Sequence, residues 1–111
     1  MWDLRHPPTP ADDDGENSPT RTVVQLVRLY QYLSESKKEY ILSKQVLRSG
    51  TSIGANVEEA LGGQSKADFI AKLPIAYKEA RETSYWLRLL KDTDYLTEKE
   101  FESIHADAEE L

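Results

Sequence analysis

Between Val23 and Ala108 the apolar residues recur three and four positions apart and do not alternate, and this period constrains the fold more than any other feature. Val23, Leu26, Val27, Tyr30 and Leu33 form one stripe, and Ile41, Leu42, Val46, Ile53, Val57 and Leu61 a second. Phe69, Leu73, Ala76, Ala80, Leu87 and Leu90 form a third, and Phe101, Ile104 and Ala108 a fourth. Each stripe is one face of a helix. Stop signals separate them: Ser36-Lys37-Lys38, Gly62-Gly63 and Asp92-Thr93-Asp94. Start signals precede three of them. Ser18 caps with Pro19 at the first helical position, Ser65 pairs with Asp68, and Thr97 pairs with Glu100 in a capping box.

Helices are therefore expected over about 18–35, 39–62, 65–92 and 97–111. Short connections make neighbours antiparallel, which predicts an all-α, up-down four-helix bundle. At 1.5 Å per residue the third helix is about 39 Å long and the fourth roughly 21 Å. The shortened fourth helix covers only half of the third, which leaves apolar surface for a partner subunit or for a longer chain.

The 111 residues supply one domain. Cys is absent, which excludes disulfides, thiolate metal sites and a Cys nucleophile. Neither a signal-peptide apolar run nor a membrane-length one occurs, so a cytoplasmic protein with no membrane partner is expected. The net charge of −6 is unevenly spread: residues 1–19 carry five acids and one base, 20–96 nine acids and twelve bases, and 97–111 six acids and one base. A mildly basic body thus lies between acidic ends. Residues 1–17, with three prolines and Asp12-Asp13-Asp14, are expected to form a disordered or loosely held acidic arm, with Trp2 and Leu4 as its apolar anchors.

The second helix carries a poor helix-forming segment, RSGTSIGAN, at its centre. Its two glycines alone disfavour helix by about 1 kcal/mol each relative to Ala. Gly50 and Gly54 lie one turn apart on one face, where another helix can approach closely. Beside them runs a polar seam of Gln45, Ser49, Ser52, Asn56 and Glu59. Ser49, Gly50, Ser52, Gly54 and Asn56 are the expected packing set, either within one bundle or between subunits. No Walker spacing or preceding strand supports a phosphate loop here.

At these residues a family resemblance emerges. LSKQVLRSGTSIGANVEEALGGQSKADFIAKL and IAYKEARETSYWLRLLKDTDYLTEKEFE resemble the four-helix-bundle family of proteins encoded by intervening sequences of bacterial 23S ribosomal RNA genes. The accessory variability proteins of diversity-generating retroelements are related to that family. The resemblance covers about residues 24–111, with RSGTSIGAN and KEARETSYWL as its specific blocks. It implies an antiparallel bundle that assembles as a homopentamer without enzymatic activity; the retroelement relatives bind nucleic acid and a reverse transcriptase through a basic exterior. Three departures stand out. Pro74 interrupts IAKLPIAYKEA and predicts a kink near Ile70–Leu73, the fourth helix stops at Leu111, and the acidic arm replaces the usual start of the first helix.

Lys78, Arg81, Tyr85 and Arg88 fall at i, +3, +7 and +10 on the third helix, with Lys91 nearby. Cations interleaved with an aromatic can neutralise phosphates and stack on a base, though a solvated face has the same pattern. Arg48, Glu59, Glu79 and Glu82 are expected to form ion pairs between helices, Arg48 with Glu82 for instance. Glu102 and His105 make a single E-x-x-H, whereas a di-iron bundle needs two plus further carboxylates; His105 is therefore read as a surface residue on a frayed terminal helix. Tyr30, Tyr77 and Trp86 are read as core or subunit packing.

The expected function is a non-enzymatic homo-oligomeric scaffold whose partners are itself and RNA, DNA or a reverse transcriptase, with no cofactor, no metal and no small-molecule substrate. The alternative is a protein-interaction module that accepts a partner helix in a groove on the third helix. A carboxylate-bridged metal enzyme comes third.

Overall fold

The structure, a computed structural model, describes residues 19–63 and 65–109, so the expected arm and the Ser18 cap lie outside the described residues. Four helices occupy them: α1 (Pro19–Glu35), α2 (Leu42–Gly62), α3 (Lys66–Asp92) and α4 (Glu98–Glu109). No strand occurs among these residues. α1 packs on α2, α2 on α3, α3 on α4, and α4 closes back on α1. The chain is an all-α, antiparallel up-down four-helix bundle.

The core lies where all four helices overlap. Leu26, Leu29 and Leu33 of α1, Val46 of α2, Leu87 and Leu90 of α3, Leu96 and Ile104 are buried together, with Tyr32, Leu42, Trp86, Tyr95 and Phe101 around them. α4 spans 12 residues, about 18 Å, against 27 residues and about 40 Å for α3. Beyond its reach the apolar stripe of α3 is uncovered: Phe69, expected to face the core, is 41% exposed.

The start of α2 differs from the expected position near 39. Lys38 adopts a left-handed backbone (φ 56°), and the buried Glu39 turns its carboxylate onto the backbone N–H groups of Ile41 (3.2 Å), Leu42 (3.0 Å) and Ser43 (2.7 Å). Ser43 donates back to the Glu39 carbonyl at 2.7 Å. This side-chain cap satisfies donors that the first helical turn leaves without partners, and it moves the helix start to Leu42. Ile41 is consequently 75% exposed and outside the apolar stripe. At the other end Leu61 is 70% exposed and Ala60 is buried in its place.

The remaining ends follow their sequence signals. Ser65 accepts the Asp68 N–H at 3.2 Å. Thr97 and Glu100 bond reciprocally, at 2.9 and 3.1 Å. α2 stops at Gly62, but Gly63 is extended (φ −66°, ψ 153°) and not left-handed. Its need for glycine is steric, because a Cβ there would lie 2.9 Å from the Asp68 Cβ. Pro74 sits inside α3 without ending it. It is exposed, so the helical hydrogen bond it removes is lost on the solvent side.

Candidate functional site

Gly50 and Gly54 point at α1. A Cβ on Gly50 would lie 2.8 Å from Leu26 Cδ1 and 3.2 Å from Leu26 Cβ, and one on Gly54 would lie 3.1 Å from Val23 Cγ2. The glycines let α2 approach α1 closely within one chain, and the packing gained there offsets their poor helix propensity. Ser49, one position along, faces α3. Its hydroxyl and that of Thr83 are both fully buried and 2.8 Å apart. Ser52 and Asn56 are half-buried and bond within α2, Asn56 Nδ2 donating to the Ser52 carbonyl (2.8 Å) and hydroxyl (3.1 Å).

Ion pairs border this contact between α2 and α3. Arg48 pairs with Glu82 and, at 3.5 Å, with Glu79. Glu82 also accepts the Trp86 indole N–H at 3.0 Å, which fixes both side chains. Glu59 pairs with Lys72 at 2.8 Å. Hydrogen bonding to Glu59, then its charge, holds the Lys72 amine above the usual lysine range. Through the lysine proton, the contribution of this pair is fully present below the ordinary lysine value and is lost as pH rises through the raised one.

These pairs matter for the outer face of α3. Glu79 and Glu82 are drawn toward α2, away from the strip that carries Lys78, Arg81, Tyr85 and Arg88. Lys78, Arg81 and Arg88 are exposed and Tyr85 is 49% exposed, its ring edge-on to Trp86 at 4.9 Å. Lys78 and Arg81 make no ion pair among the described residues. Arg88 Nε donates to the Ser84 carbonyl at 3.4 Å. Lys91 does not join them. Its amine lies 4.7 Å from the Phe101 ring centre, 3.7 Å from Asp92 and 3.9 Å from Glu98, where it helps hold α4. The strip is thus three cations around one exposed tyrosine, and not four.

His105 is not the surface residue that its position suggests. It is half-buried, stacks on Phe101 at 4.7 Å, and its Nε2 lies 2.7 Å from Ser84 Oγ, so it fastens α4 to α3. Among the described residues no group of three or more His, Asp or Glu could hold a metal ion. Tyr30 and Trp86 are half-buried, but Tyr77 is 65% exposed. With Phe69 and Ile70 it leaves apolar side chains exposed on the N-terminal half of α3, and of these periodicity assigns Phe69 to the core. Between α1 and α2 a groove of about 410 Å³ runs past Val23, Val24, Gly54, Val57 and Leu61.

A profile of the family described as 23S rRNA-intervening sequence protein matches residues 18–111, all four helices of the bundle. The chain belongs to that family. A solved structure is similar to this chain. It is described as a protein with unknown function from the S23 ribosomal protein family of Bacteroides thetaiotaomicron, is 54% identical, and superposes with a TM-score of 0.80 over 83% of this chain and 85% of that one. A comparison with curated proteins returns no match. The family match includes RSGTSIGAN and KEARETSYWL, so the close α1–α2 approach and the α2–α3 polar contact both lie inside the intervening-sequence domain. The acidic segment before residue 18 lies outside it. None of the described helices is long and apolar enough to cross a membrane.

Proposed function

We propose that this intervening-sequence-family protein is a non-enzymatic, homo-oligomeric scaffold of the cytoplasm that meets nucleic acid through the outer face of α3. Lys78, Arg81 and Arg88 contact phosphates, and Tyr85 offers a stacking surface between them. The observation that carries the reading is that Lys78 and Arg81 stand exposed without acidic partners among the described residues, while the two glutamates of the same helix are engaged by Arg48. The resemblance to retroelement accessory proteins adds a reverse transcriptase as the most specific partner, and a pentamer as the assembly. The exposed apolar residues Phe69, Ile70 and Tyr77 support association with further copies, since exposed apolar area on one side of a helix marks an interaction surface.

Mobility shifts with single-stranded RNA and duplex DNA test the phosphate role. Binding is expected at about 50 mM salt and is expected to fall steeply with added salt; Lys78→Ala/Arg81→Ala should weaken it and reduce the salt slope by about 2. Absence of binding at low salt would overturn the reading. Light scattering tests the assembly, and a monomer mass would remove the scaffold. The second reading, a groove on α3 that accepts a partner helix, rests on the same exposed patch and predicts a stoichiometric protein partner whose co-purification survives nuclease.

A further inference from the structure

We propose that the N-terminal acidic arm of this chain docks on the outer face of its own α3 and competes there with anionic ligands. The occupant is residues 2–16, and three observations select it. First, α1 starts at Pro19, and α1 and α3 are diagonal partners in the bundle, with no close backbone approach between them. Neighbouring helix axes lie 8–10 Å apart, so the axis-to-axis diagonal is about 13 Å and the outer face of α3 lies about 18 Å from the α1 axis. Asp12 precedes Pro19 by seven residues and reaches at most about 24 Å, which covers that distance, whereas Asp14, five residues away, reaches about 17 Å and needs its side chain to close the gap. The short α4 leaves the N-terminal half of α3 uncovered, so this path is not blocked among the described residues.

Second, the charges are complementary. Residues 1–19 hold five acids and one base, and Lys78 and Arg81 are exposed cations with no ion pair among the described residues. A tether this short sets an effective concentration in the millimolar range, so even a weak contact is populated.

Third, the order of chemistry along the two segments matches. On α3 the exposed apolar residues Phe69, Ile70 and Tyr77 precede the cations Lys78 and Arg81. In the arm the apolar Trp2 and Leu4 precede Asp12-Asp13-Asp14. With the aspartates on the cations, the eight residues from Leu4 to Asp12 span up to about 27 Å, more than the roughly 17 Å between Ile70 and Arg81 along the helix.

The competition rests on the nucleic-acid reading, but the contact itself does not, so the test separates them. The full-length protein is treated with a zero-length carbodiimide cross-linker, and linked peptides are mapped by mass spectrometry, beside Asp12→Asn/Asp13→Asn/Asp14→Asn. Asp12–Asp14 should link to Lys78 in preference to Lys37 and Lys38 at the opposite end of the bundle, at about 50 mM salt and not at about 500 mM. The triple variant should bind single-stranded oligouridylate about 3- to 10-fold more tightly at low salt. Lys78 links without RNA binding by either protein support the arm contact and sink the nucleic-acid reading. Equal RNA affinity with links spread evenly over the lysines overturns the arm contact alone. Links formed only between isotopically distinct chains overturn the assignment to the same chain.

Discussion

At Gly50 a side chain has no room, and at Gly54 it has little. Alanine at either position gains about 1 kcal/mol of helix propensity, but at Gly50 it meets Leu26 at 2.8 and 3.2 Å in a filled core. Gly50→Ala is expected to destabilise the bundle by about 1–2 kcal/mol in urea unfolding, with Gly54→Ala within about 0.5 kcal/mol of the parent. A stabilised Gly50→Ala would contradict the close approach of α1 and α2. The Ser49–Thr83 pair raises a different issue, since three contacts share two hydroxyl hydrogens. Ser49 also lies 3.0 Å from the Gln45 carbonyl, and Thr83 lies 2.9 Å from the Glu79 carbonyl. One hydroxyl donates to its own helix and the other donates to that hydroxyl. Thr83→Val therefore leaves Ser49 its Gln45 acceptor and should remove about 0.5–1.5 kcal/mol. Combined with Ser49→Ala, the loss should be smaller than the sum of the two single losses, as a double-mutant cycle will show.

The carboxylate cap on α2 acts on a whole helix. Glu39→Ala leaves three backbone donors without their acceptor, and is expected to lower stability by about 1–2 kcal/mol. Glu39→Gln should retain part of that. A loss no larger than that of an exposed substitution such as Lys38→Ala would show that the cap is not needed. Element type, order and most ends were legible in the sequence because they depend on local signals: a 3.6-residue period, Pro19, Ser65, Thr97 with Glu100, and Gly62-Gly63. The α2 start was not, since Glu39 is an uncommon capping residue and its carboxylate acts only once Lys38 turns the chain. The exposure of Phe69 and Tyr77 was hidden for another reason. Periodicity identifies the face of a helix but not how far a neighbour extends along it. In the candidate site, spacing placed Lys78, Arg81, Tyr85 and Arg88 on one strip, but it also enrolled Lys91, which sits at the seam with α4 and turns to Phe101. Nor does spacing show that Glu79 and Glu82 lean to Arg48, a matter of where α2 lies.

Across the whole molecule, three of the four helix contacts join consecutive elements, and only the α4–α1 contact joins the two ends of the described chain. Loop closure opposes that last contact most, because α2 and α3 both lie between its partners. The hairpins should thus assemble first and the α4 seam should zip shut after the rate-limiting barrier. Ile104, buried on α4 among the core residues, reports on that step. Ile104→Ala is expected to lose about 2–4 kcal/mol, nearly all of it as faster unfolding, with the refolding rate within about twofold of the parent in stopped-flow measurements. A matching drop in refolding rate would place α4 in the nucleus instead. If α4 docks late, it is also the first helix to leave, so the working lifetime of the fold is set by its shortest helix.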